Sequence, residues 1–329
     1  MKRVVAIAAL GVAALTARRH LTMRNALKSV SADLRSPFLK FYTPLVNAQT
    51  LPLLRAAFRL RTRPGAGVRV TERHLLGEPA VRVLVATSSE GEVSRPALLW
   101  IHSGGFIMGS PQCELPIIGR LARELGAVVV SPDYRLAPEH PFPAALDDCM
   151  ATLEWMRAHA DELGIDPDRI AVGGASGGGG LSAAVAQRSR DAGIPLRAQA
   201  LLYPMLDDRT ALRADHAGRG QFVVTPSANR FAWAAYLGRE PHMSDAPEYA
   251  APARRTDLTG LPPAWVGVGE LDLYHDEDVA YADQLRASDV PCELVTIPGM
   301  YHGADGIALR APSMREFRRG MVDHFRAHL

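Results

Sequence analysis

A serine flanked by small residues is the first feature of this sequence that could do chemistry. Ser176 stands in the segment GASGG, residues 174–178, directly after the apolar run IAVG, residues 170–173, and directly before a helical pattern. A tight turn from strand to helix raises such a hydroxyl above the sheet edge, and small neighbours leave room for the turn. We therefore predict that Ser176 is a nucleophile. A plain glycine-rich or anion-binding turn is the alternative, but the segment lacks the Gly-Lys-Ser/Thr ending of a phosphate-binding loop.

A nucleophilic serine needs a general base, and His302 is the candidate. It lies in the segment GMYHG, residues 299–303, just beyond the last predicted strand, where a loop can carry an imidazole back over the serine. Ten other histidines compete, of which His102 belongs to a loop where a structural role is expected. Position in chain order after the serine favours His302.

The base needs a carboxylate that fixes its tautomer and stabilises the imidazolium. Asp272 follows the predicted strand at residues 265–268 and lies between the serine and the histidine in the chain. Glu270 and Asp276 are the alternatives, and a solvated acidic cluster at residues 276–278 would cap the following helix without any part in catalysis. We predict that Asp272 is the orienting acid.

A second glycine-rich loop could stabilise negative charge on a substrate oxygen. The segment HSGGF, residues 102–106, follows the predicted strand at residues 97–101. Backbone N–H groups of such a loop, with the N–H of the residue after the nucleophile, can form an oxyanion hole. Gly104 is the firmest of these assignments, because serine suits a positive φ poorly. The candidate donors are Ser103, Gly104, Gly105 and Gly177.

These residues must be positioned by a scaffold, and the sequence predicts one of the α/β class. Short apolar runs alternate with longer helical patterns, the order expected of a mostly parallel sheet with helices on both faces. The eight predicted strands are residues 68–76, 81–85, 97–101, 127–130, 170–172, 198–202, 265–268 and 293–297. The predicted helices are residues 114–125, 143–163, 177–191, 278–287 and 312–328.

Two stretches fall outside this alternation. We predict a catalytic core over residues 61–204 and 251–329, a cap insertion over residues 205–250, and an N-terminal segment with cap helices over residues 1–60. The first 20 residues carry two basic residues before a short apolar run, which resembles a signal peptide but is too short to span a bilayer. A helix packed on the protein, or a true start at Met23, remains open.

Composition excludes several classes of function. The chain has 329 residues, 47% of them hydrophobic and 22% charged, with a formal net charge of +2, which gives no case for nucleic-acid binding. Cys113, Cys149 and Cys292 are widely spaced and indicate neither a disulfide framework nor a zinc site. We expect no cofactor, no metal, no stable membrane span and a small-molecule substrate. A cytoplasmic location is expected unless residues 1–20 act as a signal, and a homodimer is left open.

The order of these motifs, with the segment DYRLAPEH at residues 133–140, resembles that of the bacterial hormone-sensitive-lipase-like (family IV) esterases. The resemblance covers roughly residues 95–305 and departs at Gly177, where the family usually has alanine, and at Ala175, where it usually has aspartate. It implies an α/β-hydrolase fold with a helical cap and cofactor-free hydrolysis of short- to medium-chain acyl esters. It also implies that Arg135 and Glu139 form a structural charge pair supporting the oxyanion loop.

Two other functions compete with ester hydrolysis. An arylamide or acetyl-group hydrolase would use the same Ser-His-Asp triad, so matched ester and amide substrates are needed to discriminate them. A ligand-binding receptor on the same scaffold would lack a triad member, whereas Ser176, Asp272 and His302 are all present. Phe106, Met108, Phe222 and Trp233 are candidate pocket walls, with a position in the core as an equal alternative.

Overall fold

The structure of the chain is a computed structural model, which describes residues 26–40, 45–58, 62–75, 77, 80–88 and 94–329. The signal-like start predicted for residues 1–20, and Met23 as an alternative start, lie outside these residues. Within the described part of the chain, no helix is long and apolar enough to cross a membrane.

One sheet of eight strands confirms the predicted α/β-hydrolase fold. The strands lie in the order β1-β2-β4-β3-β5-β6-β7-β8, and from β4 to β8 all neighbours are parallel, whereas β2 is antiparallel to β1 and β4. Helices cover both faces, so the central strands are buried and read as apolar runs. The strands are β1 Val68–Leu75, β2 Val81–Ser88, β3 Arg95–Ile101, β4 Val128–Pro132, β5 Ile165–Ala175, β6 Gln199–Leu202, β7 Ala264–Gly269 and β8 Cys292–Ile297.

The helices between the strands follow the prediction with two differences. The helix predicted over residues 143–163 is divided at His159, and the predicted cap contains a helix, α6, that the sequence reading did not separate. The helices are α1 Leu51–Ala57, α2 Leu115–Leu125, α3 Ala144–Ala158, α4 Ala160–Leu163, α5 Gly177–Asp191, α6 Pro226–Leu237, α7 His275–Ala287, α8 Ala304–Ile307 and α9 Pro312–His328. Short 3-10 turns are Ala32–Leu34, Pro37–Lys40, Pro111–Glu114, Asp208–Leu212 and Pro252–Arg254.

Helix α6 has clear local causes. The hydroxyl of Thr225 accepts a hydrogen bond from the N–H of Ala228, Pro226 occupies the first turn, and the helix ends at Gly238 with φ of 67°. Its buried face carries Asn229 and Trp233, among others. These signals are all local to the sequence.

The three predicted catalytic residues follow three parallel strands. Ser176 comes directly after β5, Asp272 three residues after β7, and His302 five residues after β8. Carboxyl ends of parallel strands meet at one edge of a sheet, where ligands bind in open α/β sheets. The topology therefore brings together residues that are distant in the chain.

Candidate active site

The turn at Ser176 has the strained backbone expected of a raised nucleophile. Its φ is 56° and its ψ is −122°, and its N–H donates to the carbonyl oxygen of Leu202 at 2.9 Å. A Cβ on Gly178 would lie 2.1 Å from the carbonyl oxygen of Ile101, and one on Gly174 would lie 2.5 Å from the same atom. The small residues around Ser176 are therefore required by the close approach of α5 to the sheet.

Ser176, His302 and Asp272 form one chain of hydrogen bonds. His302 Nε2 lies 3.0 Å from Ser176 Oγ, and His302 Nδ1 lies 2.9 Å from Asp272 Oδ2. The residues are 5%, 5% and 0% exposed in the order serine, histidine, aspartate. In this arrangement Nδ1 can donate to the carboxylate while Nε2 accepts the hydroxyl proton of the serine.

The two competing carboxylates are engaged elsewhere. Glu270 Oε2 accepts the N–H of Gly299 at 3.0 Å, and Asp276 Oδ1 lies 3.2 Å from Arg219 Nη1. Asp272 Oδ1, by contrast, also accepts the N–H of Tyr274 at 3.0 Å, which holds the carboxylate in place. Of the three carboxylates considered, Asp272 is therefore the one that faces the histidine.

The alternative of a solvated acidic cluster at residues 276–278 does not hold for two of its three members. Glu277 and Asp278 are 3% and 0% exposed, because the first turn of α7 is turned into the protein. Glu277 accepts the N–H of Leu206 at 2.8 Å and the hydroxyl hydrogen of Thr210. Burial raises the pKa of Glu277 to about 8, and burial beside Glu277 raises the pKa of Asp278.

The loop at residues 102–106 lies against the turn of the nucleophile. Gly104 and Gly105 have φ of 125° and 59°, and neither N–H has a hydrogen-bond partner among the residues described. A Cβ on Gly177 would lie 2.8 Å from the N atom of Gly105, so this N–H and the first N–H of α5 are close neighbours. Unpaired donors gathered beside a nucleophile are the elements of an oxyanion hole.

The prediction for Ser103 needs a correction. Its N–H donates to Glu114 Oε1 at 2.7 Å, so this donor is already occupied. The same carboxylate accepts the indole N–H of Trp100 at 2.7 Å. Ser103 does not have a positive φ, whereas the two following glycines do. The serine is therefore compatible with the loop, but its backbone N–H supports the loop rather than facing a substrate.

His102 lies under the same loop and is fully buried. Its ring stacks on Tyr134 with centroids 4.1 Å apart, and Nδ1 donates to the carbonyl oxygen of Ser103 at 2.8 Å. Burial lowers the pKa of His102, which favours the neutral ring. These contacts fit the structural role expected of this histidine.

The predicted charge pair between Arg135 and Glu139 does not form, and each residue has another partner. Arg135 Nη2 lies 2.8 Å from Asp148 Oδ1, and Glu139 Oε2 lies 2.7 Å from Nη2 of Arg55 in α1. Arg55 Nε also donates to the carbonyl oxygen of Ile107 at 2.7 Å. Support for the segment after the oxyanion loop therefore comes from the N-terminal part of the chain, far away in sequence.

A cavity of about 1040 Å³ opens onto Ser176 and His302. The part of its wall formed by α1 and α6 is mainly apolar, with Leu54 and Ala232 as examples. Of the four pocket walls expected from the sequence, Met108 lines the cavity. The other three are packed in the core: Phe106 is 1% exposed, Phe222 2% and Trp233 0%.

Comparison with known proteins agrees with this architecture. The α/β-hydrolase fold family matches residues 98–305. Carboxylesterase NlhH of Mycobacterium tuberculosis is 40% identical over 67% of this chain and 70% of its own length. Esterase LipI of the same organism is 36% identical over 75% of this chain and 77% of its own length.

Solved structures agree as well. A bacterial heroin esterase superposes with a TM-score of 0.84 at 36% identity, covering 92% of this chain and 99% of that one. The match therefore extends beyond the motifs to nearly the whole fold. The chain belongs to the α/β-hydrolase family, in its hormone-sensitive-lipase-like branch.

Proposed function

We propose that this chain is a serine carboxylesterase that hydrolyses short- to medium-chain acyl esters through an acyl-enzyme intermediate. Ser176 is the nucleophile, His302 the general base and Asp272 the orienting acid. The observation that carries the proposal is the pair of distances on the histidine, 3.0 Å to the serine hydroxyl and 2.9 Å to the aspartate. Hydrolysis of a carboxylic ester agrees with the names of the relatives.

In the first half-reaction, Ser176 Oγ attacks the ester carbonyl carbon while His302 Nε2 takes the hydroxyl proton. The carbonyl oxygen becomes negative, and the intermediate collapses when the imidazolium gives its proton to the departing alcohol. Water then attacks the acyl-serine by the same route, and the acid product leaves. Asp272 stays ionised and stabilises the imidazolium throughout.

The developing negative charge is stabilised by backbone donors in this proposal. The N–H groups of Gly104, Gly105 and Gly177 are assigned to the oxyanion hole, and Ser103 is not, because its N–H is donated to Glu114. Removing one such donor typically lowers turnover about 10²- to 10³-fold. The positive φ angles of the two loop glycines show why glycine is needed there.

A cap is also part of the proposal. Residues 205–250, which contain α6, and the described part of residues 1–60, which contains α1, close the cavity over a core formed by the described residues of 61–204 and by residues 251–329. The wall position of Ala232 and Leu54 supports this division. The mainly apolar wall formed by α1 and α6 suits the apolar parts of an ester substrate.

The test is hydrolysis of chromogenic acyl esters of increasing chain length by the wild type and by Ser176→Ala. A matched control is Ser182→Ala, on the same helix, whose hydroxyl donates to Gly178 within α5. We expect Ser176→Ala to lose activity across the series and Ser182→Ala to keep it. Substantial activity in Ser176→Ala would refute the mechanism. Matched arylamides measure the competing amidase activity, and a faster amide than ester reaction would overturn the ester assignment.

A further inference from the structure

One amide in the wall of the cavity has a donor that the protein does not use. Asn229 in α6 is 1% exposed and lines the cavity together with Ser176 and His302. Its Nδ2 has no hydrogen-bond partner among the residues described. A buried amide donor without a partner destabilises the folded protein, so such a group calls for an explanation.

The oxygen of this amide faces a tyrosine. Asn229 Oδ1 accepts the hydroxyl hydrogen of Tyr274 at 3.1 Å, and in this orientation the NH₂ group is left unpaired. Tyr274 is itself fixed, because its N–H donates to Asp272 Oδ1 at 3.0 Å. The amide is therefore held by the same residue that holds the acid of the candidate triad.

The same contacts place Asn229 on the histidine side of the site. The ring of Tyr274 meets the ring of His302 edge to face, with centroids 5.3 Å apart, and its hydroxyl reaches Asn229. In ester hydrolysis the alcohol leaves on the histidine side, because His302 Nε2 must give it a proton. The whole tyrosine side chain separates Asn229 from the histidine, so a group bound there must be several bonds from the scissile ester.

We propose that Asn229 is a specificity-determining residue that donates a hydrogen bond from Nδ2 to an acceptor oxygen in the alcohol part of the substrate. The preferred substrates are then esters whose alcohol carries an ether, carbonyl or second ester oxygen a few bonds from the reacting centre. A site built to bind such an oxygen discriminates against the alkyl isostere, because the buried donor is otherwise left unpaired. This inference rests on the proposed esterase function and refines its substrate class.

The test compares acetate esters of methoxyalkyl alcohols with their alkyl isosteres, such as 3-methoxypropyl against pentyl acetate, by titrating the acid released. The readout is the ratio of kcat/KM for ether over alkyl ester, in the wild type, Asn229→Leu and Asn229→Asp. We expect Asn229→Leu to lower this ratio roughly five- to tenfold, the usual effect of one hydrogen bond. Asn229→Asp, assayed at a pH at which its carboxyl is ionised, has no donor at this position. It should lower the kcat/KM ratio of ether over alkyl ester and raise the corresponding ratio of hydroxyalkyl over alkyl ester.

The matched control is Gln187→Leu, a buried amide whose Nε2 also lies near a tyrosine oxygen, 3.2 Å from that of Tyr281. It removes a buried amide outside the cavity wall and should leave the ratio unchanged. An equal ratio in wild type and Asn229→Leu would overturn the proposal. A change confined to a series with the ether in the acyl chain would overturn its placement on the alcohol side. If the wild type hydrolysed none of these esters, the result would instead refute the proposed function.

Discussion

His302 Nε2 lies 3.0 Å from Ser176 Oγ, although 126 positions separate the two residues in the chain. The contact exists because β5 and β8 are parallel strands of one sheet and release both residues at the same edge. Local structure around either residue would not bring the two side chains into contact. The catalytic proposal therefore depends on the topology of the sheet as much as on the residue types.

Asp272→Asn should lower kcat for ester hydrolysis by about 10⁴-fold, with little change in KM. An asparagine can donate to His302 Nδ1 and so stabilise the wrong tautomer of the ring, as an amide does in other serine triads. The matched control is Asp276→Asn, whose carboxylate lies beside Arg219 rather than the histidine. A similar loss in both variants would contradict the assignment of Asp272.

Gly177→Ala should lower kcat by roughly tenfold or more. In this chain a Cβ would lie 2.8 Å from the N atom of Gly105 and 2.9 Å from that of Phe106, so the loop must shift. Displacing a donor from the oxyanion hole acts on the transition state, and loss of one donor costs about 10²- to 10³-fold. Steady-state kinetics measures the effect, and an unchanged kcat would show that the loop accommodates the methyl group.

Glu277→Gln should weaken the pH dependence of stability between about pH 5 and pH 8. Burial raises the pKa of Glu277 from an ordinary 4.5 to about 8, so in this interval the folded protein holds a proton that the unfolded chain has lost. The contribution of Glu277 to stability is then fully present below pH 4.5 and is lost as pH rises to 8, by at most about 1.4 kcal/mol per pH unit. Glutamine resembles the protonated acid and does not titrate, so the variant does not lose this contribution to stability as pH rises.

Urea unfolding at pH 6, 7 and 8 measures this difference between wild type and Glu277→Gln. The side-chain oxygen of a glutamine can still accept the N–H of Leu206, as Glu277 does. The free energy of unfolding of the variant should increase relative to that of the wild type as pH rises. If the free energy of unfolding changed with pH by the same slope in both proteins, Glu277 would be ionised in the folded state.

The sheet and the candidate triad were predictable from the sequence for physical reasons. Central parallel strands are buried on both faces, so β4 appears as part of a continuous apolar run at residues 127–130, between Gly126 and Ser131. Small residues around Ser176 reflect a close approach that no larger side chain permits. Helix α6 could also have been predicted from the sequence, because Thr225, Pro226 and Gly238 mark its ends.

The features that the sequence reading missed depend on tertiary contacts. Three adjacent acids at residues 276–278 read as a solvated cap, since carboxylates are usually exposed, yet Glu277 finds its partners in a distant segment. Glu139 pairs with Arg55, 84 positions away, which no local pattern indicates. The engagement of the Ser103 N–H by Glu114 likewise depends on how the chain folds back over the loop.

Whether Ser176 is the nucleophile is measured by covalent trapping with a small fluorophosphonate, followed by mass spectrometry of the digested protein. We predict one adduct per chain, on the peptide that contains Ser176, with loss of ester hydrolysis in proportion to labelling. Ser176→Ala should not be labelled, and Asp272→Asn should be labelled much more slowly. Labelling of another residue in step with inactivation, or full ester hydrolysis by the labelled protein, would contradict the account.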